Sequence, residues 1–334
     1  VRLPERTPIA VEGGSIRAAA GDAFIAFSLD LADPADLALL LPDGDGPQSV
    51  EINLNGYVWT GIVEDYSQDR QFPGRAVGVS GRSRTALLDA PYAPARSKVE
   101  TESRLAQQLI DAELNLTGFT AEYGTVEWTV PGGVWHYDGL TAAAAVREIA
   151  AAAGAVVQSH AWDDILRIVP RYPASPWAWS VTAPDKQISD DIILRDQLRL
   201  AGKPLYDYVL VSGEQVGVSD PIIRDGSAGD VRAPMVVDAL ITEHPVARER
   251  GRNVLSDRGR QAQIDVTIPL FPISAPDMPG YIAPLQLVEV IEPVAWKALA
   301  VAVQITFQMQ EQGDAVVLVI DQTVTLERHY DDAG

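Results

Sequence analysis

The segment Val50-Glu-Ile-Asn-Leu-Asn-Gly-Tyr-Val-Trp-Thr60-Gly-Ile-Val-Glu-Asp-Tyr-Ser-Gln-Asp-Arg70-Gln-Phe-Pro-Gly-Arg-Ala-Val-Gly-Val-Ser80-Gly-Arg-Ser-Arg-Thr-Ala-Leu-Leu-Asp-Ala90 reads as three consecutive antiparallel strands. Val50, Ile52 and Leu54 alternate with Glu51, Asn53 and Asn55, the period of a half-buried strand. Asn55-Gly56 supplies the two positive-φ residues of a tight hairpin, and Val58 to Glu64 form the return strand. Phe72-Pro73-Gly74 predicts a second turn before the alternation of Ala76 to Gly81, and Arg82 to Asp89 leaves the sheet.

Upstream, Pro8 to Glu12 and Ala23 to Leu29 read as strands punctuated by turns at Gly13-Gly14 and Gly21-Asp22. Asp33 to Leu41 is a short helix or a loop, and Pro42 to Pro47 is a loop. Downstream, the prolines of 91–96 mark a change to mixed α/β character. Thr101 is an expected cap for a helix over 101–113 whose apolar face is Leu105, Ala106, Leu109 and Ile110. Val126 to Val130 reads as a strand. Leu140 to Gly154 predicts a helix capped by Thr141 and stopped by Gly154. A hairpin then turns at Trp162-Asp163-Asp164, between Ala155–Ser159 and Ile165–Val169.

After the Pro- and Trp-rich 170–184, Ile192 to Leu198 reads as a strand returning to the first β-domain, and Tyr206 to Gly213 as another. Pro245 opens a helix with Val246, Ala247, Val254 and Leu255 on its buried side. Gln263 to Pro269, Leu285 to Ile291, Ala300 to Gln308, Val316 to Ile320 and Thr323 to Glu327 complete a second antiparallel set.

The order of these elements resembles the baseplate hub proteins of phage tails, the Mu-like tail protein and late-control D group. The resemblance rests on the "x-G-x-V/I" hairpin at Asn55 to Ile62, the Gly81-Arg82-Ser83-x-x-x-Leu87-Leu88-Asp89 segment, the helix–strand–Asp-rich turn–strand of 140–169 and the Tyr206-x-Tyr208-Val209-x-Val211-x-Gly213 strand. It extends from about residue 8 to 327. It implies a mainly β fold with an α+β insertion: a first tube-like β-barrel from 1–95 and 190–215, an α/β insertion at 96–189, and a second tube-like barrel with a helix at 216–330. It further implies a homotrimer whose six barrels ring a DNA channel, continuing a tail tube and adapting its sixfold symmetry to a threefold tip. Implied partners are the tube or distal tail protein and spike or fibre proteins, in a virion assembled in the host cytoplasm, with DNA passing through without specific binding. The likeness departs at the ends: the start is abrupt, and no spike-binding or lysozyme segment follows Gly334.

Composition sets the bounds. A chain of 334 residues, 47% hydrophobic, holds two or three domains with real cores. No eighteen-residue apolar run or signal peptide is visible, so no membrane insertion is predicted. The missing initiator Met points to a segment of a longer chain, an alternative start or processing. Zero cysteines exclude disulfides, thiolate metal sites and cysteine nucleophiles. A net charge of −20 opposes tight binding of phosphate backbones; it serves solubility, or a channel wall past which DNA slides.

No catalytic constellation emerges, and no cofactor or metal is expected. Gly44-Asp45-Gly46 lacks the last glycine of a dinucleotide fingerprint, and Gly78-Val79-Ser80-Gly81-Arg82 has Arg where a nucleophile elbow needs Gly. The four histidines are scattered, with His160 beside Asp163 and Asp164 the only candidate metal pairing. The doublets Asp163/Asp164, Asp190/Asp191 and Glu64/Asp65 point to opposite faces if they lie on strands, which does not suit a shared cleft. Trp128, Trp135, Trp177 and Trp179 form a core or a carbohydrate platform, and the core is preferred. The basic run Arg248, Arg250, Arg252, Arg258 and Arg260 is either a solvated helix face paired with Glu249 and Asp257 or a docking surface for an acidic neighbouring subunit. The alternative function is an envelope-acting tail component, either a peptidoglycan hydrolase or a carbohydrate-binding module. A third reading is an all-β scaffold unrelated to phage.

Overall fold

The computed structural model describes residues 1–44, 46–71, 74–214, 218–312 and 315–331. The turn expected at Phe72-Pro73 lies outside the described residues, as does Asp45 of the Pro42–Pro47 loop.

The opening strands are β1 (Val11–Ala19), β2 (Ala26–Leu31), β3 (Ser49–Leu54), β4 (Tyr57–Gln71) and β5 (Gly74–Ser83). Asn55 and Gly56 have φ of 53° and 91°, as the predicted β3–β4 hairpin requires. The Gly13-Gly14 turn expected from sequence is instead inside β1. The ring of Phe307 lies 2.8 Å from where a Gly14 Cβ would sit, so glycine serves close packing there.

The middle of the chain contains α1 (Ala106–Leu114), β6 (Thr120–Tyr123), α2 (Ala142–Ala152), β7 (Ala155–Ser159) and β8 (Ile165–Pro170). Helix α2 begins and ends as the sequence predicts: Thr141 Oγ1 accepts the Ala144 N–H at 3.2 Å, and Gly154 takes φ 69°. Helix α1 starts five residues later than Thr101 suggests. Arg104–Leu105 are drawn into a short pairing with Thr129–Val130, and the Gln108 side chain accepts the Leu105 N–H instead. Only Thr129–Val130 of the expected 126–130 strand is formed.

Next come β9 (Lys186–Ser189), β10 (Arg195–Gly202), β11 (Tyr208–Ser212), β12 (Ser219–Ile223), α3 (His244–Ser256), β13 (Arg260–Pro269), β14 (Leu287–Ile291), β15 (Trp296–Gln312) and β16 (Ala315–His329). The two segments expected at Val316–Ile320 and Thr323–Glu327 are one strand.

Hydrogen bonding runs β10-β13-β16-β15-β1-β2-β5-β4-β3, with β9 and β14 branching from β15 in one eleven-stranded sheet. Two units repeat one pattern. In chain order β1 to β5, the first is arranged β1-β2-β5-β4-β3. In chain order β10, β13, β14, β15, β16, the second is arranged β10-β13-β16-β15-β14. Both therefore have the order first-second-fifth-fourth-third, with a long hairpin as fourth and fifth strands. Pairing of β1 with β15 fuses them into one sheet over one apolar core.

This corrects the sequence reading of the boundaries. Residues 192–198 do not return to the first set; β10 pairs along its length with β13 and is the first strand of the second unit. Strand β11 leaves the barrels altogether, with Val209 and Val211 fully buried against the α/β core that also holds Val246, Ala247 and Leu255 of α3. Residues 203–259, placed from sequence partly in each barrel, thus pack on the same apolar core as residues 84–170, whereas β9, expected within the insertion, lies in the large sheet beside β14. Alternation marks a strand but does not say which sheet it enters.

Candidate functional site

Because strand residues alternate, a sheet with one face in the core displays its other face entirely. One row of cross-strand partners runs Ile268, Gln322, Ile305, Ile16, Phe27, Gly81 and Val63 across seven strands and faces the core. The adjacent row, one residue along, runs Pro269, Asp321, Thr306, Ser15, Ser28, Ser80 and Asp65. The neighbouring outward positions are Thr267, Thr323, Gln304 and Arg17 on one side and Gln308, Gly13, Asp30, Gly78 and Ser67 on the other. This broad face is almost wholly polar and spans both units.

Short side chains on it bond to one another. Ser15 and Ser28 hydroxyls are 2.9 Å apart, Thr267 and Thr323 hydroxyls 2.9 Å, and Thr325 donates to Asp265 at 2.6 Å. Burial raises the pKa of Asp321. The result is a polar surface with carboxylates at Asp30, Asp65, Asp69, Asp265 and Asp321, interrupted by cations that include Arg17, Arg195 and Arg199.

Two hairpins extend from one end of this sheet. Beyond Leu31, the last β2 partner of β5, hairpin β4–β5 continues to Gln71–Gly74; beyond Gly13, the last β1 partner of β15, hairpin β15–β16 continues to Gln312–Ala315. A cleft of about 790 Å³ lies between them, lined by Glu12, Asp30, Asp69, Arg75, Gln308 and Met309 among others. The β15–β16 hairpin exposes Met309, Val316 and Leu318 on its core-side face, beyond the last β1 partner.

The Gly81-Arg82-Ser83 to Asp89 segment ties the sheet to the α/β unit. Arg82 forms a two-pronged pair with Glu64, Ser83 and Thr85 meet Ser159 in a buried hydroxyl cluster, and Asp89 accepts from Thr141 and Arg147.

The structure separates the five predicted docking arginines. On α3, Arg248 is exposed; Arg252, one turn away, is held by Glu249 and by Ser175 at 3.1 Å. Arg250 lies half-buried on the opposite side, where its charge opposes the rise that burial causes in the Asp238 carboxyl. Arg258 is buried and donates to the Tyr206 carbonyl at 3.0 Å, and Arg260 pairs with Asp331 at 2.9 Å. Helical spacing and the break at Gly259 disperse them. Arg252, Arg258 and Arg260 hold the chain to itself.

The other candidates are similarly engaged. Asp164 pairs with Arg84 at 2.9 Å, and His160 Nδ1 accepts the Asp163 N–H at 3.1 Å. Among the described residues no group of His, Asp and Glu is arranged to hold a metal. Trp128, Trp135 and Trp179 are buried, and Trp177 lies under the Arg224 guanidinium, so they form no exposed platform. Among the described residues no helix is long and apolar enough to cross a membrane.

Sequence reasoning passed over the polar face. Its signal lay in the Ser, Thr, Gln and Asp residues that alternate with the apolar ones, a pattern equally expected of any solvated sheet face.

The duplicated sheet with its α/β unit matches solved structures over nearly its whole length. A tail protein from Neisseria meningitidis MC58 superposes with a TM-score of 0.64 at 13% identity, covering 96% of this chain and 92% of that one. This is the fold of phage tail proteins. The same tail-protein fold appears in the 43 kDa tail protein of prophage MuSo2 from Shewanella oneidensis, at TM-score 0.60 and 17% identity, covering 95% and 94% of the two chains. It also appears in the E. coli c3393 protein, described as a type VI secretion component similar to the T4 tail proteins gp27 and gp5, at TM-score 0.52 and 11% identity, covering 100% and 78%. Neither a family model nor a curated protein sequence matches the chain.

Proposed function

We propose that this chain is a structural hub subunit of a phage tail tip or baseplate. Three copies, each contributing two units, form a ring that continues the tail tube and adapts sixfold to threefold symmetry. The observation that carries this reading is the duplication: two five-stranded units of identical topology are joined edge to edge in one chain, so three chains present six similar units. The polar face then lines the axial channel. Its hydroxyls and carboxylates stay hydrated beside DNA and give phosphates few cations to hold, which suits passage without binding. The projecting hairpins, with Met309, Val316 and Leu318 exposed, face the next ring or the tip proteins. The role is non-enzymatic and the location is the virion tail.

Electron microscopy of tails carrying a tagged copy of the chain tests this. Threefold density on the axis at the distal end of the tube is the expected result. Label on peripheral fibres, or absence from the tail axis, would overturn it.

A further inference from the structure

A cleft of about 430 Å³ opens where the α/β unit meets the second unit, and none of its lining residues stands on the polar face of the sheet. The end of α2, the segment after β8, the segment after β10 and one face of α3 wall it. In a chain with 46 acidic and 26 basic residues, this lining has the opposite balance: Arg171, Lys203 and Arg250 against the single carboxylate of Asp257. Asp257 is already engaged, by Lys203 Nζ at 2.5 Å and by Gln261 at 3.1 Å. Arg171 spends Nη2 on Glu327 at 2.9 Å, lies over the Tyr172 ring and leaves Nη1 without a partner. Arg250 is half-buried and makes no hydrogen bond or ion pair among the described residues. The Asp238 carboxylate, which feels its charge, accepts the Leu240 N–H at 2.9 Å instead. A guanidinium carries five N–H donors, and donors withdrawn from water are normally spent. The two arginines are also held in place. The Arg171 N–H donates to the Gly154 carbonyl at 3.3 Å and the Tyr172 N–H to Asn253 Oδ1 at 3.1 Å, which fixes the β8 exit against the α3 face that carries Arg250 one turn earlier.

We propose that this cleft binds a phosphate group, free or carried by a small organic molecule, with Arg250 and Arg171 on its oxygens and Lys203 at the rim. Two features select phosphate among anions. The donors come from three separate elements, which suits a tetrahedral dianion that accepts from several sides, whereas a planar carboxylate is matched by one guanidinium fork. The volume also falls within the range of small-molecule sites, about 300–1,000 Å³, and Tyr206, Pro234 and Val254 give an organic part an apolar wall. The site stands independently of the hub reading.

Calorimetric titration of the purified full-length chain with inorganic phosphate, phenyl phosphate and benzoate, at constant ionic strength, tests this. One phosphate-bearing molecule should bind per chain, with benzoate about tenfold weaker. Affinity for phenyl phosphate should fall as pH drops through about 6, where the ester loses its second charge. Arg250→Gln should weaken phosphate binding about tenfold, the loss of one charge-assisted hydrogen bond. Arg248→Gln, at an exposed position of the same helix, should leave it unchanged. Tighter binding of phenyl phosphate identifies an ester as the ligand, and equal affinities identify free phosphate. Affinity that survives Arg250→Gln, benzoate that binds as well as phosphate, or the absence of saturable heat would overturn the proposal. Where Arg250→Gln does not fold, the parent chain decides. Phosphate should protect Arg250 from phenylglyoxal, read by mass spectrometry, and modification unaffected by phosphate would overturn the site.

Discussion

Ile16 of β1 lies directly opposite Ile305 of β15, and the two are 2% and 0% exposed. This pair sits at the seam between the two units, under one core shared by both. Truncating Ile16 to Ala should cost about 2–4 kcal/mol, from lost burial plus the cavity left behind. Because the core is continuous, calorimetry should show the sheet melting in one transition that moves to lower temperature. A loss confined to the first unit, with the second melting unchanged, would contradict a shared core.

Phe27 lies across Gly81, its Cζ 2.8 Å from where a Cβ would stand, and the backbone of Ile62 closes the remaining space. Gly81→Ala should therefore destabilise by roughly 1–3 kcal/mol through overpacking. Gly21→Ala, where nothing lies within 4 Å, should be near neutral. Urea denaturation of the two variants provides the comparison.

Glu327 joins the second unit to the α/β unit. It is buried, accepts from Tyr172 at 2.7 Å, and pairs with Arg171 and His329, each at 2.9 Å. Burial alone would raise its pKa. The hydrogen bond from His329, the Arg171 charge and the Tyr172 hydroxyl outweigh that and hold it at about 2. A folded pKa below the unfolded one means stability present at neutral pH and lost as pH falls from about 4.5 towards 2. Glu327→Gln should cost about 3 kcal/mol at pH 7, and its deficit relative to the parent chain should shrink over that acid window. A deficit independent of pH would show that the charge contributes nothing.

Glu113, fully buried on α1, receives Lys98 at 2.9 Å, Arg96 at 3.1 Å, the Tyr137 hydroxyl at 2.7 Å and Trp135 Nε1 at 3.3 Å. Glu113→Ala strands these donors and should cost roughly 2–4 kcal/mol. The hydroxyl bond to Glu113 helps burial raise the Tyr137 phenol to about 12. The variant should therefore lower that pKa in a spectroscopic titration and change Trp135 fluorescence.

Much of the fold was legible locally. Asn55-Gly56, Thr141, Gly154 and Pro245 act through their own backbone or the next few residues, so reading them needs no tertiary knowledge. Gly13-Gly14 misled because a glycine pair marks a turn unless a ring packs upon it, and Phe307 lies nearly three hundred residues away. The five arginines are neighbours in sequence and not on a surface, because every second residue of a helix is turned by about 200° and Gly259 redirects the chain.

By itself, the sequence determined the mainly β character, the β3–β4 hairpin, the Thr141-capped helix and a chain without thiol chemistry, since all follow from periodicity and residue type. Only the tertiary structure decided that Arg195–Gly202 opens the second unit, that 203–259 completes the α/β unit, and that β1 and β15 merge two sheets into one. Strand partners are chosen by burial over long loops, and alternation at period two is equally satisfied by any partner that keeps the faces in register.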